Sequence, residues 1–303
     1  MNKRLQGILC LTLSTVIWGS AFVAQSKGMD YIGPFTFQTV RCFLALIVLL
    51  PIIAISDRLK HTSADFFHGW KNPTLWKAGI SCGIPLCLAT NFQQIGLVNT
   101  DAGKSAFLTA MYMVIIPIFG IFRKKRLSKW IWISIALAVC GLYFLCCMGV
   151  EKFLLSDGLT LICALLFAVQ ITYIDKYAQS VDALRLNFIQ ILVTFILSAI
   201  PMVLSETVNW DLLWSARYTL SYAGCLSLGI AYFMQILGQK HLQPTVASII
   251  MSLESVFAVI FGCLLLKEKL SLYELIGCIL MFIAVILSQL PEFLNKKELP
   301  QTQ

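Results

Sequence analysis

Long, uninterrupted apolar runs constrain this chain more than any other feature. They recur from residue 5 to residue 290, in stretches such as ALIVLLPIIAI and WISIALAVCGLYFL. Runs of this kind supply the roughly 20 residues that a helix needs to cross a bilayer core. A membrane-spanning β-barrel would instead show segments of about ten residues with alternating polarity. Only 13% of the 303 residues are charged, against about 25% in a soluble domain. The chain therefore reads as an all-α integral membrane protein. Its first run, after Lys3 and Arg4, has the order of a leader peptide, but so many runs follow that it reads as a retained first span. Eleven cysteines lie almost wholly inside apolar runs and form no CxxC, so they read as small apolar residues rather than metal ligands or a redox pair.

Ten spans are expected, at about 5–25, 33–55, 77–98, 101–122, 129–148, 156–176, 183–204, 217–239, 244–266 and 271–290. Lysine and arginine concentrate on the cytoplasmic side of membrane proteins. With the N-terminus inside, 16 Lys and Arg fall on inner segments and 6 on outer ones. This places both termini in the cytoplasm, with the tail 291–303 there too. The net charge of +8 is accounted for by this anchoring and calls for no nucleic-acid partner.

The two halves resemble each other. When FQQIGLVNTDAGKSAFLTAMYMVIIPIFG (92–120) is laid over MQILGQKHLQPTVASIIMSLESVFAVIFG (234–262), Gln93 falls on Gln235, Gly96 on Gly238, Tyr112 on Glu254 and Gly120 on Gly262. One inserted residue later, KKRLS (124–128) falls on KEKLS (267–271). The unit is five helices, an odd number, so the repeats 5–148 and 156–290 must enter the membrane with opposite orientations. Inverted repeats of this kind are a mark of secondary transporters.

Several stretches carry a family resemblance: TVIWGSAFVAQSKG in the first span, GPFTFQTVRCFLA in the second, AGKSAFLTAMYMVIIPIFG in the fourth, and above all ASIIMSLESVFAVIFGCLLLKEKLSLYELIGCILMFIAVIL (247–287). They resemble EamA-type permeases of the drug/metabolite transporter superfamily. The resemblance implies two inverted five-helix repeats around a central cavity. It also implies transport of small metabolites such as amino acids, often outward, in the cell membrane, with no bound cofactor. The chain departs from many members at Ser255, where they carry proline, and this bears on the local bend.

Ionisable residues deep in a span are costly, which makes them candidate functional sites. Glu254 lies ten residues into its span. It reads either as a carboxylate that carries a proton or binds substrate, or as a structural group bonded to neighbouring helices. Arg41 reads as a structural or gating ion-pair member, with Glu254 as the candidate partner. Among uncharged polar groups, Gln93, Gln94, Gln170, Tyr173, Tyr232 and Gln235, with Asn91, Asn187 and Gln190, either line a wet cavity or join helices by hydrogen bonds. Tyr112 enters as the counterpart of Glu254. Trp18 reads as a cavity wall or as packing beside Gly19. Spans five and ten, almost wholly apolar, read as scaffold or as the face of a homodimer. The expected partners are thus a small-molecule substrate, the lipid bilayer and a coupling ion such as H+.

A membrane-embedded enzyme would need clustered His, Asp or Glu near one interface, and the three histidines all fall in connections. A scaffold or scramblase-like protein would need a polar lipid-facing groove, on which the sequence is silent. Gly103-Lys104-Ser105 suggests a phosphate loop, but position 98 is valine where that motif needs glycine, and apolar helices flank it. The aligned position for Lys104 is Val246, so the fourth span carries one extra charge near the outer mouth. It reads as a lysine snorkelling to the interface or as an attractor of anionic substrate groups.

Overall fold

The computed structural model describes residues 2–59, 68–100, 102–122, 128–146, 154–266 and 271–297. Every regular element among them is helical. In a bilayer this is forced, because lipid offers no partners for backbone N–H and C=O groups, and a helix satisfies them within itself. The helices are α1 (Lys3–Gly28), α2 (Pro34–Leu59), α3 (Pro73–Gly96), α4 (Ala102–Phe122), α5 (Lys129–Cys146), α6 (Leu155–Tyr177), α7 (Ala183–Ser205), the short α8 (Trp210–Ser215), α9 (Arg217–Gln239), α10 (Pro244–Leu265) and α11 (Leu272–Lys297). Among the described residues, seven are long and apolar enough to cross a membrane: α1, α2, α4, α6, α7, α9 and α10.

Local chemistry sets several starts. The Asn2 side chain accepts from Arg4 N–H, Asn72 from Thr74 N–H ahead of Pro73, and Asp182 from Arg185 N–H. Such caps satisfy amides that the first helical turn leaves open. The ends differ in part from expectation. Helix α11 runs on to Lys297, so residue 290 is not a helix end. The expected cap of α4 by Asp101 lies outside the described residues.

Packing among the long helices crosses the two halves of the chain. Helix α3 packs on α6 and α7, α2 on α7 and α9, and α1 on α9 and α10, while α5 and α11 pack on each other. Close approach depends on glycine where backbones nearly touch. A Cβ on Gly19 would stand 2.4 Å from the Phe257 Cβ of α10, and one on Gly224 would stand 2.6 Å from the Arg41 carbonyl of α2. The reading of Gly19 as a packing position is thus correct, although Trp18 beside it has a different surrounding, described below. The outward faces of α5 and α11 present Trp132, Ile133, Ile279, Phe282 and Ile283.

Three departures from plain α-helix lie in the interior. Helix α4 is interrupted at Met111, between Ala102–Ala110 and Tyr112–Phe122. Helix α10 is interrupted at Ser252 and Leu253, and in the superposition of the two halves Leu253 falls on Met111. In α9, Tyr222–Ala231 winds as a π-helix, a form frequent at functional sites. Side chains of other helices hold its displaced carbonyls: Asn187 donates to Leu228 O (3.2 Å) and Gly229 O (2.9 Å), and Ser14 to Ala231 O (2.9 Å).

Candidate functional site

A polar cavity lies among α1, α2, α3, α4, α6, α9 and α10. Helix α1 contributes Trp18, Phe22 and Gln25, one face at helical spacing, and α2 contributes Arg41. Gln93 comes from α3, Thr109 and Tyr112 from α4, and Phe167 and Ile171 from α6. Ser227, Leu228, Tyr232 and Gln235 come from α9, and Met251 and Glu254 from α10. The space open to the centres of water-sized molecules is about 40 Å³. That is room for a few waters, far below the several hundred Å³ of a metabolite pocket.

Two opposite charges share this cavity without forming an ion pair. Arg41 is 2% exposed. Its Nε donates to Gln38 Oε1 at 2.7 Å and its Nη1 to Gln25 Oε1, and Gln38 in turn donates to Thr90 Oγ1 at 2.9 Å. The Phe37 ring lies 5.7 Å from the guanidinium carbon. Glu254, 5% exposed, accepts from the Tyr112 hydroxyl at 3.0 Å. The expected pairing of Arg41 with Glu254 is therefore corrected: neutral amides on α1 and α2 hold the arginine, and a phenol on α4 holds the carboxylate. Each keeps one polar atom, Arg41 Nη2 and Glu254 Oε2, for which the structure gives no partner among the described residues. Two further lining residues carry unpartnered buried atoms, Trp18 Nε1 and Gln235 Oε1. The Trp18 and Tyr232 rings meet edge to face at 5.0 Å.

Of the expected site residues, Trp18, Arg41, Gln93, Tyr112, Tyr232, Gln235 and Glu254 converge here. The others do not line it. Gln94 donates to Met29 Sδ at 3.0 Å. Gln170 donates to Gln190 Oε1 at 3.2 Å, and Gln190 to Asn187 Oδ1 at 2.8 Å, so this set joins helices. Asn91 likewise donates to Ser198 Oγ on α7 at 2.7 Å. Tyr173 stacks on Tyr177 with centroids 6.5 Å apart. Lys104 neither snorkels nor stands open to an anion. It pairs with Asp157 of α6 at 2.5 Å, with the two side chains 13% and 0% exposed, and Asp157 also accepts from Leu154 N–H and the Thr100 hydroxyl.

Gln25, Thr109 and Ser227 are polar lining residues that sequence reasoning missed. Gln25 was detectable, because it falls seven residues after Trp18 and three after Phe22 on one helix face. Ser255 also finds a role: its hydroxyl donates to Ala106 O of α4 at 3.0 Å. Helix α10 is interrupted just before it, at Ser252 and Leu253, so the break does not need proline at position 255.

Two further polar contacts tie the halves together at opposite ends of α2 and α7. At one end Glu206 accepts from Phe35 N–H (3.0 Å) and Thr36 N–H (2.7 Å). At the other, Arg185 donates to both carboxylate oxygens of Asp57 (3.2 and 2.6 Å) and lies over the Trp70 ring, 5.4 Å from its centroid.

A bundle of apolar helices enclosing a polar, charge-bearing cavity defines a multi-pass membrane protein of the transporter class. The chain matches the EamA-like transporter family twice, over residues 5–147 and 154–290, and it belongs to that family. It is 32% identical to an uncharacterized transporter of Archaeoglobus fulgidus, over 95% of this chain and 87% of that one. It is 24% identical to the uncharacterized transporter YoaV of Bacillus subtilis, over 95% of this chain and 97% of that one. A solved crystal structure shares the fold with a TM-score of 0.77 at 16% identity, covering 97% of this chain and 99% of its own.

Proposed function

We propose that this protein is a secondary transporter of the cell membrane that moves a small metabolite, an amino acid or a related compound, outward. It works by alternating access between two inverted five-helix repeats, with both termini in the cytoplasm. The observation that carries this reading is the Tyr112–Glu254 hydrogen bond. These residues are equivalent in the superposed halves, and equivalent positions of two symmetric repeats meet only near the axis that relates them. Two more equivalent pairs line the same cavity, Gln93 with Gln235 and Thr109 with Met251. The cavity is complete within one chain, so the reading requires no dimer.

The small cavity volume means that substrate enters only when the helices part. The interruptions at Met111 and at Ser252–Leu253 give α4 and α10 matching hinges beside Tyr112 and Glu254. The Lys104–Asp157 pair joins the halves on one side of the cavity and the Arg185–Asp57 pair on the other. Opening one while keeping the other exposes the cavity to one side at a time. Glu254 is the group that takes up a coupling proton.

A thermal-shift screen of the purified protein against amino acids, nucleosides, sugars and cationic drugs finds the substrate, because a ligand of the native state raises its stability by mass action. Transport of the hit is then followed in proteoliposomes with and without a pH gradient. Glu254→Gln is expected to remain folded and to abolish the gradient-dependent component. Unchanged transport with unchanged pH dependence removes Glu254 from the coupling role.

A further inference from the structure

We infer that the cavity takes a small zwitterion, with its anionic group on Arg41 and its ammonium group on Glu254. The inference rests on reading this cavity as the transport site, and it adds which chemistry is bound and which residue holds each end. Arg41 and Glu254 line one cavity, yet each is held by neutral partners and not by the other. Arg41 has Nη2 left to donate, and Glu254 has Oε2 left to accept. In a low-dielectric interior an uncompensated charge is costly, and guanidinium cannot shed its proton.

Three ligand types can be weighed against this arrangement. A net cation satisfies Glu254 and leaves Arg41 without a counter-charge. A net anion satisfies Arg41 and leaves Glu254 with nothing to bind. A ligand carrying both groups meets both residues and keeps the site electrically neutral. Trp18 Nε1 and Gln235 Oε1, a donor and an acceptor on lining residues that also lack partners, add one hydrogen-bonding group of each kind beside the charges.

The test uses the full-length protein with the twenty amino acids, each alongside its carboxamide (no carboxylate) and its N-acetyl derivative (no ammonium). Affinity is read from ligand-induced thermal stabilisation and from inhibition of transport in proteoliposomes. At least one amino acid is expected to bind, with its carboxamide and its N-acetyl derivative weaker by about 100-fold, the size expected when one member of a buried charge pair is lost. Arg41→Gln should then erase discrimination against the carboxamide alone, and Glu254→Gln discrimination against the N-acetyl derivative alone. A merely structural role for either residue would not produce this crossed pattern. Arg41→Lys, which keeps the charge, is the second variant should Arg41→Gln fail to fold, and it should retain the carboxamide discrimination. The inference is overturned if no amino acid binds, if a derivative lacking one charge binds as tightly as its parent, or if both variants lose both discriminations together. Binding or transport of a sugar or nucleoside instead would overturn the zwitterion but leave the transporter reading standing. A chain that transports no solute of any class would overturn that reading itself.

Discussion

The second helix of each matched segment carries a buried polar cluster, and the two clusters are built alike but charged differently. On α2, Gln38 and Arg41 are joined three residues apart, and Arg41 reaches Gln25 on α1. On α7, Asn187 and Gln190 are joined three residues apart, and Gln190 is reached by Gln170 on α6. The α7 cluster is neutral and lies outside the cavity, and Asn187 spends its amide on the π-wound carbonyls of α9. The α2 cluster contains a permanent cation that lines the cavity. Amide clusters are thus a shared structural device for joining helices, and the added charge marks the half that faces a ligand. Glu254 and Tyr112 show the same asymmetry in the opposite sense, with the ionisable group in the second half.

The most forceful way to break this comparison is to give the first cluster the chemistry of the second. Arg41→Gln is expected to reduce transport by about 100-fold or more while shifting stability by less than about 1 kcal/mol, since a glutamine can still bond to its amide neighbours. Uptake assays beside thermal unfolding measure the two effects, and retained transport would mean that the charge is structural. Lys104 is the contrasting buried cation, because it does have a carboxylate partner. Lys104→Met leaves Asp157 buried without its ion and should lower stability by about 2–3 kcal/mol. Adding Asp157→Asn, which still accepts from Leu154 N–H, should recover part of the loss; no recovery would argue against an ion-pair origin. Tyr112→Phe removes one hydrogen bond to a charged group, worth about 1.5–3 kcal/mol, and is expected to slow transport roughly tenfold without loss of folding. The smallest effect is expected from Gln170→Leu, which removes an interhelical amide bond of about 0.6 kcal/mol and should leave transport rates unchanged. A large transport defect there would show that the neutral cluster takes part in the cycle.

Much of the site was legible in the sequence because some polar residues had no innocent place in an apolar run. Glu254, Arg41, Gln93, Gln235 and Tyr232 stand out against their spans, and the superposition of the halves pointed to Tyr112, a residue that composition alone would pass over. The misses share one cause. Gln94, Gln170 and Tyr173 are as polar as their neighbours, but they sit on faces turned toward other helices. In a bilayer, lipid and a neighbouring helix are equally apolar, so hydropathy gives little indication of which face turns inward.

The sequence by itself determined a chain of membrane helices with related halves, because the backbone's need for internal hydrogen bonds in lipid acts on each segment separately. Only the tertiary structure decided that Arg41 belongs to Gln25 and Gln38, that Lys104 belongs to Asp157, and that Tyr112 and Glu254 touch. Each of these outcomes depends on how helices distant in the chain are rotated and spaced. That choice is made by glycine contacts, by interruptions within helices and by the π-turns of α9 acting together, none of which a single segment encodes.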